Sequence, residues 1–177
     1  MRVDKARNRE TVLAAAARLF AAAGDPDEVS MDAVAVAAGV GKGTVFRGFG
    51  DRRALVRELW DETLARFDAE NPPAGSTSRE RVLDLLLRTW RFKREHRVLG
   101  LALERAGEGS PYATAGYDRW HTTLVELLAE VPGDREFLAH ALLAAVRSDL
   151  VEHLRSLPDE DVQAGLRRLV DGVVRPG

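Results

Sequence analysis

Apolar residues recur at three- and four-residue spacing along almost the whole chain, and no period-2 alternation of useful length interrupts that rhythm. Val12, Ala16, Leu19, Phe20 and Ala23 make one stripe and predict a helix over 5–23, stopped by Gly24 and a turn at Asp25-Pro26-Asp27. Ser30 suits the N-cap of a helix over 31–38, with Val34 and Ala37 or Ala38 facing inward and Gly39 ending it. A short helix over 42–47 follows, bounded by Gly48 and Gly50. The next runs over 51–69, capped by Asp51, with Leu55, Val56, Leu59, Trp60, Leu64 and Phe67 at helical spacing. Asn71-Pro72-Pro73-Ala74-Gly75-Ser76 breaks the chain. Beyond it the pattern predicts helices near 78–95, 97–106, 112–131, 134–157 and 159–174, punctuated by Gly107–Pro111, Pro132-Gly133 and Pro158. The predicted fold class is all-α.

The helix over 134–157 carries the strongest signal of the second half. From Phe137 to Val146 every residue except His140 is apolar. A helix that is hydrophobic all round must be covered all round. In a small chain one face packs on the chain's own core, and a second copy is a natural cover for the other. The final helix has a single stripe, Val162, Leu166, Leu169, Val170 and Val173, and Gly165 allows close approach. These two helices, 134–157 and 159–174, predict a homodimer.

Composition narrows the class. At 177 residues and 45% apolar, the chain has enough material for a buried core, and disorder is excluded as a general description. Its net charge of −2 does not announce a nucleic-acid partner. Residues 1–53, however, hold nine basic and seven acidic side chains, so a slightly basic head precedes a more acidic body. The absence of cysteine excludes disulfides, thiolate catalysis and cysteine zinc sites. Leu13–Ala17 and Leu19–Ala23 imitate a signal peptide, but Arg18 interrupts the run and Arg7, Arg9 and Glu10 crowd its front. No stretch approaches the ~18–20 apolar residues of a membrane span. The expectation is a soluble, cytoplasmic protein with no membrane contact.

Residues 30–49 carry the candidate chemistry. Two short helices joined by a glycine turn are the layout of a helix-turn-helix, in which a bracing helix holds a second one in the major groove. Ala35, Ala37 and Ala38 are small enough for close packing, Gly39 supplies the turn and Val40 can plug the core beneath it. Residues 42–47 present Lys42, Gly43, Thr44 and Arg47 outward, while Val45 and Phe49 pack inward. Arg47 can reach a guanine edge or a phosphate, Thr44 can offer a hydroxyl and a methyl, and Lys42 supplies a point charge. Ser30 can touch phosphate as well as cap its helix. Arg2, Lys5, Arg7 and Arg9 either track the DNA backbone or belong to a solvated terminus.

Other chemistries do not assemble. The run Gly39-Val40-Gly41-Lys42-Gly43-Thr44 imitates a phosphate loop, but Val36 stands where the first glycine is required and the preceding segment is helical. His96, His121, His140 and His153 never pair at one-turn spacing, so no metal site is expected. No catalytic constellation is present, which excludes an enzyme as the leading expectation; no cofactor is expected either.

The segment 5–69 resembles the N-terminal domain of the TetR family of one-component transcriptional regulators. The matching features are Ala17-Arg18-Leu19-Phe20…Gly24, Ser30–Gly39, Val40-Gly41-Lys42-Gly43-Thr44-Val45-Phe46, and Phe49…Arg52-Arg53-Ala54-Leu55. The resemblance implies a three-helix head with a connecting helix, and a C-terminal antiparallel helical domain that binds an effector and dimerises. The corresponding domains are 1–53 and 54–177. It further implies double-stranded operator DNA as partner, with Ser30, Lys42, Gly43, Thr44, Phe46, Arg47 and Arg52 at the interface, Arg52 gripping phosphate. A small-molecule effector would release a repressor from a palindromic operator. Trp90, Phe92, Leu103, Tyr117, Trp120 and Leu143 are candidate pocket walls, with Glu104, His121 and Arg147 as polar contacts; aromatics at this spacing also serve a plain core. The basic run Arg88, Arg91, Lys93, Arg94 and Arg97 reads as a solvated face near a helix C-terminus. Two positions depart from the family. Phe46 stands where a tyrosine is usual, and Gly48 where a larger contacting residue is common. They predict weaker readout, or readout assisted by DNA shape. They also motivate an alternative, a helical small-molecule-binding protein whose head has lost sequence-specific DNA readout.

Overall fold

Val12, Leu13, Ala15, Ala16 and Phe20 are buried along one side of the first helix, α1 (Arg2–Ala22). The computed structural model describes residues 2–105 and 114–174, with side chains from residue 6 onward. Gly107–Pro111, proposed above as a loop, lies outside the described residues, as do the side chains of Arg2 and Lys5. The described chain is helical with short turns and shows no strand. It divides into two compact units, one within Met1–Thr63 and Val98–Pro111, the other within Leu64–Arg97 and Tyr112–Gly177.

In the first unit a 3-10 turn (Pro26–Glu28) follows α1 and leads to α2 (Met31–Ala38) and α3 (Lys42–Phe49). Ser30 caps α2, its Oγ accepting from the Ala33 N–H at 3.1 Å. Gly39 ends α2 at φ 65°, a left-handed conformation that glycine adopts without penalty, and the Val40 N–H returns to the Ala35 carbonyl at 3.1 Å. The inward face of α2 is Met31, Val34 and Ala35, not Ala37, which is exposed. Val40 is half-buried, and Val45 and Phe49 of α3 are buried. The helix α4 (Arg52–Glu70) begins here with Leu55, Val56, Leu59 and Trp60 in the core and continues along the chain into the second unit. The helix α6 (Arg97–Arg105) adds Val98, Leu99 and Ala102, and Arg105 reaches Asp25 at 2.9 Å.

The second unit is built around α5 (Ser78–Glu95), whose start carries a full capping box. Thr77 Oγ1 accepts from the Glu80 N–H at 3.2 Å, and the Glu80 carboxylate accepts from the Thr77 N–H at 3.1 Å. Against α5 pack α7 (Ala115–Leu127), α9 (Ser148–His153) and α10 (Asp159–Val173), while α8 (Arg135–Ala144) packs on α7 and α10. Their shared core includes Val82, Leu86, Trp90, Leu124, Leu128, Leu142, Val146 and Val170. Arg79 bonds Asp171 at 2.6 Å and Arg94 pairs with Asp159, both tying α5 to α10.

The single helix expected over 134–157 is two helices. The N–H groups of Ala145 and Val146 return to carbonyls three residues back, at 3.2 and 3.1 Å, and Arg147 is extended with ψ 148°. Arg147 then bonds Asp149 at 2.9 Å, while Asp149 Oδ1 accepts from the Leu150 N–H at 2.8 Å. The bend buries Val146, Ser148 and Val151 together, which a straight helix could not do from one side. Within the chain, Ala139, Leu142 and Leu143 are buried, while Phe137 is 67% exposed and Ala141 and Ala144 are exposed beside it, so one face of this run is left uncovered. No helix among the described residues is long and apolar enough to cross a membrane.

Candidate nucleic-acid interface

The eight residues of α3 have one buried edge and one open edge. Val45 and Phe49 are in the core, and Lys42, Gly43, Phe46 and Arg47 are exposed, with Thr44 half-buried. Gly41 precedes the helix and provides no side-chain cap. The first-turn amides of α3 are therefore without a side-chain acceptor, where the helix dipole favours an anion. Lys42 forms an ion pair with Asp32 of α2 across the turn. Both side chains are more than half exposed, and such a pair contributes only about 0–1 kcal/mol, so a phosphate can compete for the lysine. Arg47 has no carboxylate partner among the described residues. Phe46 is 47% exposed, a large apolar surface left open beside these groups.

Two other arginines are committed inside the unit. Arg9 of α1 donates to the Gly48 carbonyl at 2.8 Å, pairs with Glu58 of α4, and lies 4.6 Å from the Phe49 ring centroid. It joins three helices and holds the C-terminal end of α3. Arg52 donates from Nε to the Val29 carbonyl at 2.9 Å and from a terminal nitrogen to the Pro26 carbonyl at 2.6 Å. It fastens the start of α4 to the loop ahead of α2. Neighbouring Arg53 is exposed, with no ion pair among the described residues, and is the freer cation at that helix start. Sequence reasoning missed the positioning role of Arg9 because its partners lie 39 and 49 residues away.

The residues expected to line a pocket separate into several environments. Leu103 and Glu104 lie on α6, in the first unit. Tyr117, His121 and His140 pack on one another across α7 and α8: Tyr117 Oη is 2.5 Å from His140 Nδ1, and the two imidazoles stack with centroids 4.0 Å apart. Sequence spacing had given no histidine pair, and the fold makes one. Leu143 is core, and Arg147 is engaged with Asp149. Trp90 lines a cavity of about 390 Å³ between α5 and α10, and Trp120 lines another of about 240 Å³ between α4, α5 and α7. The basic run of α5 and the start of α6 is not a plain solvated face: Arg88 bonds Asp68 at 2.9 Å with its side chain 12% exposed, and Arg97 reaches Glu152 at 3.2 Å. His96 meets Phe92 at a tilt, with centroids 4.9 Å apart, and its burial holds its pKa below the usual histidine value. Among the described residues no group of three or more His, Asp or Glu is placed to hold a metal ion.

Comparison with known proteins agrees with this geometry. Residues 12–59 match the model of the bacterial regulatory proteins of the tetR family. No curated protein matches the sequence. Among solved structures, a protein from Rhodococcus sp. assigned to the TetR family of transcriptional regulators superposes with a TM-score of 0.74 at 20% identity, covering 94% of this chain and 98% of that one. A TetR transcriptional regulator from Rhodococcus sp. RHA1 gives 0.69 at 18% identity, covering 96% and 97%. A TetR-like regulator from the same organism gives 0.65 at 25% identity, covering 93% and 94%.

Proposed function

We propose that the protein is a dimeric, ligand-responsive transcriptional repressor acting on a palindromic operator in the cytoplasm, with the segment that matches the tetR-family model as its DNA-binding head. The observation that carries the reading is the open edge of α3: amides without a side-chain cap, an exposed Lys42 and Arg47, and a Phe46 facing solvent. Lys42 and the α3 amides grip phosphate, Arg47 and Thr44 meet base edges, and Phe46 packs on a sugar edge or a thymine methyl. Ser30 and Arg53 add phosphate contacts at the flanks, while Arg52 keeps the helix start in place. The protein works by binding, not by turnover.

The paired heads come from a homodimer through α8, α9 and α10. Phe137, Ala141 and Ala144 form an exposed stripe on α8, and Gly165, Leu169 and Gly172 form one on α10, where no atom lies within 4 Å of a side chain placed at either glycine. Close packing of a second copy covers both stripes. An effector bound in the second unit shifts the pair of heads away from the ~34–36 Å spacing of successive major grooves and lowers operator affinity. Continuity of α4 from the head into the body gives that shift a covalent route.

The double change Lys42→Ala, Arg47→Ala tests the interface. Operator binding measured by fluorescence anisotropy should fall by about tenfold or more, from loss of one base-edge and one phosphate contact. Unchanged affinity on the native operator would show that α3 does not read DNA through these side chains.

A further inference from the structure

We propose that the cavity bounded by α4, α5 and α7 takes a small aromatic carboxylate; this rests on the ligand-responsive reading above and names the chemistry of its ligand. The walls are aromatic. Phe67 and Phe92 meet with centroids 5.2 Å apart at 54°, and Phe92 meets Trp120 edge-on at 6.4 Å and 68°. Phe92 is fully buried behind this wall, and Phe67 and Trp120 carry the ring surface that a further aromatic ring can meet. A cavity of about 150 Å³ holds benzene. At about 240 Å³ this one has room for a ring with a short acidic side chain, and too little for a long acyl chain.

The polar lining asks for an acceptor. Arg88 gives one terminal nitrogen to Asp68 at 2.9 Å and stands 4.0 Å from Asp84, but its Nε–H is buried with no partner. Arg119, also lining the cavity, is exposed and has no carboxylate partner among the described residues. The carboxylates nearby are already engaged: Asp68 holds Arg88, and Asp84 also accepts from the Ala74 N–H at 3.0 Å. A ligand amine would find no uncommitted carboxylate and would face Arg119. A ligand carboxylate satisfies Arg119 in bidentate fashion.

Calorimetric titration of the full chain without DNA decides the matter, using 3-phenylpropanoate, 3-phenylpropanamide and 3-phenylpropylamine. The acid should bind at least about tenfold tighter than the amide, and the amine should not bind. Arg119→Gln, an exposed substitution that leaves the melting temperature unchanged, should remove the preference for acid over amide while leaving amide affinity as it was. Equal affinity for acid and amide, retention of the preference in Arg119→Gln, or no binding of any of the three overturns the proposal. Operator binding is measured separately on the same protein. If the acid binds yet leaves operator affinity unchanged, the ligand chemistry stands and the regulatory reading falls; if DNA is bound and the acid is not, the ligand chemistry alone falls.

Discussion

Arg9 and Arg52 look alike in sequence to the arginines that would grip DNA, and both have their guanidinium groups turned into the protein. Arg9 meets a carbonyl of α3, a carboxylate of α4 and the face of Phe49; Arg52 meets two carbonyls of the loop ahead of α2. Nothing local distinguishes them from Arg47 or Arg53, because their roles are set by partners distant in the chain. By contrast, the inward Val45 and Phe49, the Ser30 cap and the Gly39 turn were legible from residue type and spacing alone, since each depends on neighbours within one helical turn. A residue-scale prediction follows for Arg9→Met. Stability should drop by about 1 kcal/mol, the magnitude for a half-exposed charged network, and operator affinity should fall with base preference unchanged. Thermal melting and a competition assay on variant operators check it. An unaltered melting temperature with a changed base preference would mean that Arg9 touches DNA directly.

At the scale of elements, the periodicity located the α-helices of the described residues to within a few residues, with one exception. The exception is the break at Ala145–Arg147, where an unbroken apolar run masked a second start signal. Ser148-Asp149 is a good helix opening, and no glycine or proline drew attention to it. The start of α5 is sharper in structure than in sequence. Hydrogen bonds from the Ser76 backbone and side chain and from the Thr77 backbone pull the Glu80 carboxyl from 4.5 to about 2. Because the folded value lies below the unfolded one, the stabilisation is present above pH 4.5 and is lost as pH falls towards 2. Glu80→Ala should therefore melt below the parent protein at pH 6, and the two melting curves should converge near pH 2 when followed by circular dichroism. A gap that persists undiminished at pH 2 would show that the capping carboxylate is not its source.

At the scale of the molecule, sequence alone made clear the all-α class, because it rests on repeated local patterns. Which side chains border a cavity was not legible, because Trp90, Tyr117 and Trp120 share one type of spacing yet face a cavity, a histidine stack and a different cavity. The exposed stripe on α8 gives the assembly its test: Phe137→Glu should leave the helical content intact and shift the protein from dimer to monomer in sedimentation, while a variant that remains dimeric would place the contact elsewhere. The central claim is that a pair of α3 helices reads a symmetric DNA site. Selection of bound sequences from a random duplex pool tests it most directly. The expected product is an inverted repeat with half-sites about one helical turn apart, bound with an affinity that falls steeply as salt rises. A pool that shows no enriched sequence, together with binding that is insensitive to salt, would contradict it.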